Sequence, residues 1–171
     1  PVEVVGRGGV NIREAWDDVD SRAYLGTVVP GFPNLFMLYG PNTALGHGGS
    51  FIFTVECQID YMLSLLRQMG EHGLREIECR QAVYDRYNEH IQTMHWGMIW
   101  SHPGMSTYFR NERGRIVTNS PWRLIDYWQL TRDEPVVRPT ISDDQLAILE
   151  FPVSTRSPLL GVMLRTLLMP E

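Results

Sequence analysis

The sequence predicts a mixed α/β fold, and three observations carry that prediction. The run "NLFMLYG", residues 34–40, has the length of a strand and is apolar on both faces, as a central strand of a parallel sheet is. From Ser50 apolar residues recur at steps of three and four, the period of a helix with one buried face. Between the two lies "GPNTALGHGG", a loop of small residues with one histidine. Open α/β sheets hold ligands at strand–loop–helix junctions of this kind.

Length and charge narrow the field. At 171 residues the chain is long enough for one domain with an adequate core. Its net charge of −5 speaks against a nucleic-acid surface, which needs a basic stripe, and the arginines are scattered. Cys57 and Cys79 have no metal spacing and sit in apolar contexts, so buried reduced thiols are expected. No signal peptide opens the chain, and no apolar run reaches the ~20 residues of a membrane span, so a cytoplasmic protein is expected.

In chain order, "VEVVG" and the segment after Gly8-Gly9 read as a hairpin or two short strands. "DDVDSRAYLGTVVPGFP" is turn-rich and reads as an irregular connection. After the strand at 34–40, the helix from Ser50 would bury Phe51, Val55, Ile59, Met62, Leu63 and Leu66, with Gly70 and Gly73 ending it. "REIEC" reads as a short strand. A second helix follows, with Val83, Tyr87, Ile91 and Met94 or His95 in register. "STYFRNERGRIVTNS" reads as two strands joined by a turn at Asn111 to Gly114. A last helix is expected from Pro121 with Ser120 as its cap. Beyond Arg132, "DEPVVRPT" reads as a linker and the rest as short amphipathic segments.

The junction carries the strongest candidate chemistry. Gly40, Gly46, Gly48 and Gly49 permit close approach of a flat or phosphorylated ligand. The amides and positive dipole end of the following helix favour a negative or electron-rich atom. A plain glycine-rich turn is the alternative. His47 is a candidate hydrogen-bond donor or general acid, or a residue that ties the loop to itself. Glu56 reads either as a buried carboxylate or as a polar-edge residue. His90 and His95 lie about 140° apart around a helix and do not share a ligand sphere easily, which weakens a metal reading with His102. Asp17, Asp18 and Asp20 are too irregular for a calcium loop.

"YLGTVVPGFPNLFMLYGPNTALGHGGSFIFTVECQIDYM" resembles the last part of the FAD domain in Baeyer–Villiger-type flavin monooxygenases, most of all the hydroxyacetophenone monooxygenase-like group. "HPGMSTYFRNERGRIVTNSPWRLIDYW" resembles that group's C-terminal, substrate-side segment, and the likeness runs from about Val2 to Arg132. The resemblance implies a fragment of an FAD-binding three-layer α/β domain, followed by a helical and β-hairpin C-terminal segment. Residues 1–70 would close the FAD domain, 71–132 would face substrate, and 133–171 would be a tail of unknown role. It implies FAD and NADPH as cofactors, and transfer of one oxygen atom of O2 to a ketone or aldehyde, or to N or S. Gly40, Pro41, Asn42, Thr43, Gly48 and Gly49 would then line the flavin, with Leu45, His47 and Tyr108 toward the substrate. No catalytic residue is assigned.

The departures from the family pattern are specific. No G-x-G-x-x-G occurs, so the nucleotide phosphate sites and the family's peroxide-stabilising arginine would lie upstream, on the rest of the same polypeptide. The start at Pro1 also suggests a fragment, inactive alone. Tyr108 stands where many relatives carry Trp, so the resemblance implies monooxygenation in general rather than ester formation in particular. The rival reading is a non-catalytic binding or interaction domain with a structural glycine loop. A disulfide-reductase-type flavoprotein tail ranks lower, because Pro41 stands where such tails carry an acidic residue.

Overall fold

A computed structural model describes residues 2–46 and 48–132, with two further backbone stretches at 136–139 and 146–150. Its elements in chain order are α1 (Ile12–Ala15), β1 (Ala44–Leu45), α2 (Phe51–Glu71), β2 (Glu76–Cys79), α3 (Gln81–His95), β3 (Asn119–Ser120), α4 (Leu124–Arg132), β4 (Val136–Pro139) and β5 (Leu146–Glu150).

The expected N-terminal hairpin is reduced to one antiparallel bridge, Val5 to Asn11. "NIRE" is a capping box, which takes that segment into α1 instead. Asn11 Oδ1 accepts from the Arg13 amide at 2.9 Å, and Glu14 reaches back to the Asn11 amide at 3.2 Å. The irregular connection that follows buries Leu25, Val28, Val29 and Phe32, as its apolar content requires.

"NLFMLYG" is not a strand among the described residues. Asn34 and Tyr39 have φ of 59° and 53°, which an extended strand excludes. Its amides go to scattered acceptors: Asn34 to the Ile77 carbonyl at 3.0 Å, Met37 to that of Thr27 at 2.8 Å, and Tyr39 to Gln58 Oε1 at 2.7 Å. Leu35, Phe36 and Met37 pack on the core, whereas Leu38 and Tyr39 turn outward. Parallel pairing does occur, a few residues later. β1 runs parallel to β3, with Ala44 opposite Asn119, and the Asn42 amide extends the ladder to the Val117 carbonyl at 3.0 Å.

α2 begins and ends where the sequence places it, but it buries a different face. Thr54, Cys57, Gln58, Tyr61 and Leu65 point inward, while Phe51, Ile59, Leu63 and Leu66 are exposed. The inward groove presents backbone carbonyls, so a polar residue fits best. Gln58 Nε2 donates to Leu25 O and to Thr27 Oγ1, both at 3.2 Å. α4 packs on α2, and Tyr127 Oη donates to the same Leu25 carbonyl at 2.6 Å. α4 starts at Leu124 rather than Pro121, because Ser120 Oγ accepts from the Trp122 amide and holds a turn there.

The second helix forms as α3, with the expected Ile91 and His95 buried together with Tyr84 and Asn88, while the expected Val83, Tyr87 and Met94 pack half-buried against the same core. The Asn111–Gly114 turn forms with a single bridge, Arg110 to Ile116, in place of two full strands. β2 forms over "EIEC". It pairs parallel with β5, which pairs antiparallel with β4, so two pieces of the expected linker and amphipathic tail are strands. The rest of that tail, "PLLGVMLRTLLMPE" included, lies outside the described residues.

One hydrophobic cluster joins Leu25, Tyr61, Leu65, Ile77, Ile91 and Tyr127, so the N-terminal connection, α2, α3 and α4 share a core. Cys57 and Cys79 are buried and reduced, as expected, and burial raises both thiol pKa values. Among the described residues, no helix is long and apolar enough to cross a membrane.

Candidate functional site

The Gly40–Gly49 loop is tied to three distant elements. Asn42 adopts φ 58°, and its Nδ2 donates to the carbonyls of Ile116 at 2.8 Å and Asn119 at 3.1 Å. Thr43 Oγ1 donates to the Gly40 carbonyl at 2.6 Å. Both side chains are buried, at 2% and 1% exposure, so they hold the loop's shape and point away from any ligand in front of it.

His95, at the end of α3, lies under this loop. Its Nδ1 accepts from the Trp100 indole at 3.0 Å, which puts the ring proton on Nε2, 3.4 Å from Asn42 Nδ2. Burial, with Arg115 nearby, pushes its pKa down to about 4, so the ring is neutral at pH 7. The sequence pattern marked His95 as a helix-face residue and as a weak metal candidate with His90 and His102; among the described residues no group of three such side chains is placed to hold a metal. Its pairing with Trp100, five positions on, had no sequence signal.

Packing explains three of the four candidate glycines. A Cβ at Gly46 would stand 2.6 Å from the Trp100 ring and 2.9 Å from Asn119 Nδ2. One at Gly49 (φ 138°) would stand 2.6 Å from Leu124 Cδ1, and one at Gly40 would collide with the Gly26 carbonyl. Gly48 faces open space, with nothing within 4 Å of a Cβ there. Pro41 is half-buried.

The outward side of the junction is therefore made by few groups. Ser50, the N-cap of α2, makes no side-chain cap, and the first turn carries no acidic residue. The leading amides of a 21-residue helix thus open toward Gly48 and Gly49, with the helix's positive end behind them. Leu45 is half-buried beside them, and its amide donates to Tyr39 Oη at 3.3 Å. Tyr108 is 83% exposed and joins the site through an edge-to-face chain of rings, Tyr108 to Phe109 to Trp100 to His95. His47 lies outside the described residues. Glu56 is exposed, which makes it the polar-edge residue of the two readings.

A second polar cluster fixes the Asn111–Gly114 turn. Asp20 is 4% exposed and pairs with Arg22 and with Arg115 Nε at 2.7 Å, while Asn111 Nδ2 donates to it at 3.2 Å. Arg113 adds an exposed pair to Asp17 at 2.8 Å. The "DDVD" stretch and the "RN…GR" motif, over 90 residues apart, are thus two halves of one buried ion network. Neither half announced the other in the sequence.

Comparison with known proteins adds to this geometry. The chain is 71% identical over 133 residues, 78% of its length, to an uncharacterised monooxygenase of Sinorhizobium fredii. It is 40% identical over 125 residues to a Baeyer–Villiger monooxygenase of Pseudomonas aeruginosa. Over the matched stretch, the chain belongs to the Baeyer–Villiger monooxygenase family. This monooxygenase segment spans about a fifth of the length of the curated relatives it matches, 20% and 23% for these two. Its fold is similar to that of a steroid monooxygenase bound to NADP, with a TM-score of 0.64, 22% identity, and coverage of 75% of this chain and 23% of the other. It is also similar to a closed cyclohexanone monooxygenase, with a TM-score of 0.61, 21% identity, and coverage of 76% and 24%. No family model matches the chain.

Proposed function

We propose that this monooxygenase segment forms one wall of the flavin site in an FAD- and NADPH-dependent enzyme, which delivers one oxygen atom of O2 to a ketone or aldehyde, or to N or S of a small molecule. The observation that carries the reading is the amino end of α2 without a side-chain cap, presented beside open Gly48 by a loop whose Asn42 Nδ2 and Thr43 hydroxyl are spent on internal bonds. A flavin's electron-rich edge fits such an end: backbone donors, a positive dipole and no competing carboxylate. Bound FAD would supply the redox chemistry, taking hydride from NADPH and activating O2.

The chain's own residues do the positioning. The α2 amides would stabilise negative charge at the flavin edge, and Gly40, Pro41, Gly48 and Gly49 would set the loop's path along it. Asn42 and Thr43 hold that path from behind by hydrogen bonds, with neutral His95 packed beneath Asn42. Leu45 would keep water from the reacting face, with His47 and Tyr108 toward the substrate. Residues 1–70 would close the flavin domain and 71–132 would form the substrate side, with 133–171 a tail that carries β4 and β5.

The test is a chimera in which this segment replaces its counterpart in the Sinorhizobium relative. The expected chimera is yellow and oxidises NADPH, and Gly48→Val lowers its flavin content without shifting the melting temperature of the flavin-free protein. A folded chimera that stays colourless would overturn the proposal.

A further inference from the structure

We infer that Arg110 forms a binding site for a carboxylate, in a small cavity between the last turn of α3 and the Asn111–Gly114 turn. The inference does not rest on the function proposed above.

The cavity has a volume of about 50 Å³, room for roughly three waters or one small planar anion. The end of α3 supplies Gln92, His95 and Trp96 to its wall, and the short turn Ile99–Ser101 supplies Ser101. Arg110 and Ile116, joined by their antiparallel bridge, line it from the other side. Bonds within the wall hold this shape. Gln92 Nε2 donates to the Ile116 carbonyl at 2.9 Å, and its Oε1 accepts from the Ile116 amide at 3.3 Å. His95 Nδ1 is taken by the Trp100 indole at 3.0 Å. These polar groups are therefore spent on the fold, whereas Arg110 is not.

No carboxylate lines the cavity, and among the described residues none pairs with Arg110. Arg22 and Arg115, also partly buried, share Asp20. Arg67, Arg75 and Arg86 have no carboxylate among the described residues either, but they are exposed and water serves them. Arg110 is half-buried. Its Nε is enclosed without an acceptor, and its one side-chain bond among the described residues is a long one, from Nη2 to the Trp100 carbonyl at 3.4 Å. Taking a guanidinium partly out of water is costly unless an anion or a full set of acceptors replaces that water. The described residues supply neither, and the cavity beside Arg110 has room for the anion. On the same wall the Ser101 hydroxyl makes no bond within the described residues and offers a second donor. A guanidinium fork favours a planar acceptor with two oxygens, which is a carboxylate. The Trp96 ring, 80% exposed, borders the cavity. The carboxylate is thus either that of a free small acid or the end of a longer molecule laid against that ring.

The experiment titrates the 171-residue chain with formate by calorimetry at low salt, with circular dichroism to check that each variant keeps its fold. Saturable binding in the millimolar range is expected. Arg110→Gln should weaken it at least about tenfold, the weight of one charge-assisted pair. Arg113→Gln removes an exposed guanidinium that pairs with Asp17, and it should leave formate binding unchanged. Absence of saturable binding overturns the inference, as does equal binding by Arg110→Gln. Equal weakening by Arg113→Gln also overturns it, because general attraction to positive charge would then account for the binding. So does chloride that competes as well as formate does at equal concentration, since a spherical ion needs no fork. Should Arg110→Gln fail to fold, Ser101→Ala decides: a loss of about threefold or more is expected, and unchanged affinity overturns the site. Phenylacetate separates the two sources of the carboxylate. Binding tighter than that of formate, with the gain lost in Trp96→Ala, assigns the end of a longer molecule. Phenylacetate binding no tighter than formate assigns a free small acid.

Discussion

Asp20→Asn removes one charge from the most enclosed ion network among the described residues. Asp20 is 4% exposed and faces Arg115, whose side chain is 15% exposed, and Arg22, whose side chain is 36% exposed. Burial already lowers the Arg115 pKa, with Arg22 adding to the effect and Asp20 opposing it, so loss of the carboxylate leaves an enclosed cation without its counter-charge. Breaking a buried pair from one side costs about 3–5 kcal/mol, whereas the more exposed Arg22 adds about 0.2–1 kcal/mol. The residual exposure of Arg115 favours the lower end, about 3 kcal/mol. For a chain of this length, that corresponds to a fall of roughly 6–12 °C in melting temperature. Thermal unfolding followed by circular dichroism measures it, with Asp17→Asn as control. Asp17 pairs with Arg113 across an exposed surface, and its loss should cost no more than about 1 kcal/mol. Equal shifts for the two variants would refute the argument that burial sets the weight of the Asp20 network.

Three further outcomes are expected. Gln58→Leu should destabilise the chain by about 2–3 kcal/mol in a urea titration, because it strands the Tyr39 amide and the carbonyls that Gln58 Nε2 now serves. Gly46→Ala should cost about 1–3 kcal/mol by the same measurement, through overlap with the Trp100 ring, while Gly48→Ala should be near neutral. The folded-state pKa of His95 is depressed from 6.5 to about 4, so the unfolded chain takes up the proton first as pH falls. Its contribution is present above pH 6.5 and is lost progressively toward pH 4, about 3 kcal/mol in all. Urea midpoints of wild type and His95→Gln across that range should show the steeper acid loss in wild type.

Much of the local structure was legible because it depends on neighbours in sequence. The Asn111–Gly114 turn, β2, α3 and the start of α2 follow from turn residues and apolar period, which need no distant partner. "NLFMLYG" failed as a strand for the opposite reason. A two-sided apolar run becomes a strand only if other strands flank it, and among the described residues none does. The same limit reversed the reading of α2. Periodicity located an apolar stripe at Phe51, Ile59, Leu63 and Leu66, but the groove against α2 offers carbonyls, and Gln58 satisfies them where leucine could not.

The candidate site divides along the same line. The residues of "GPNTALGHGG", the glycines in it and the helix that follows are matters of sequence, and so is the resemblance that placed the loop beside a flavin. Which glycines serve packing and which faces open space was decided by Trp100, Asn119, Leu124 and Gly26, all brought there by the fold. The inward turn of Asn42 and Thr43, the neutral His95 beneath them and the Asp20–Arg115 network were decided there too. The Asn42 bonds and the Asp20–Arg115 pair each depend on removing polar groups from water against partners 74 to 95 residues away, and no local pattern encodes that energy.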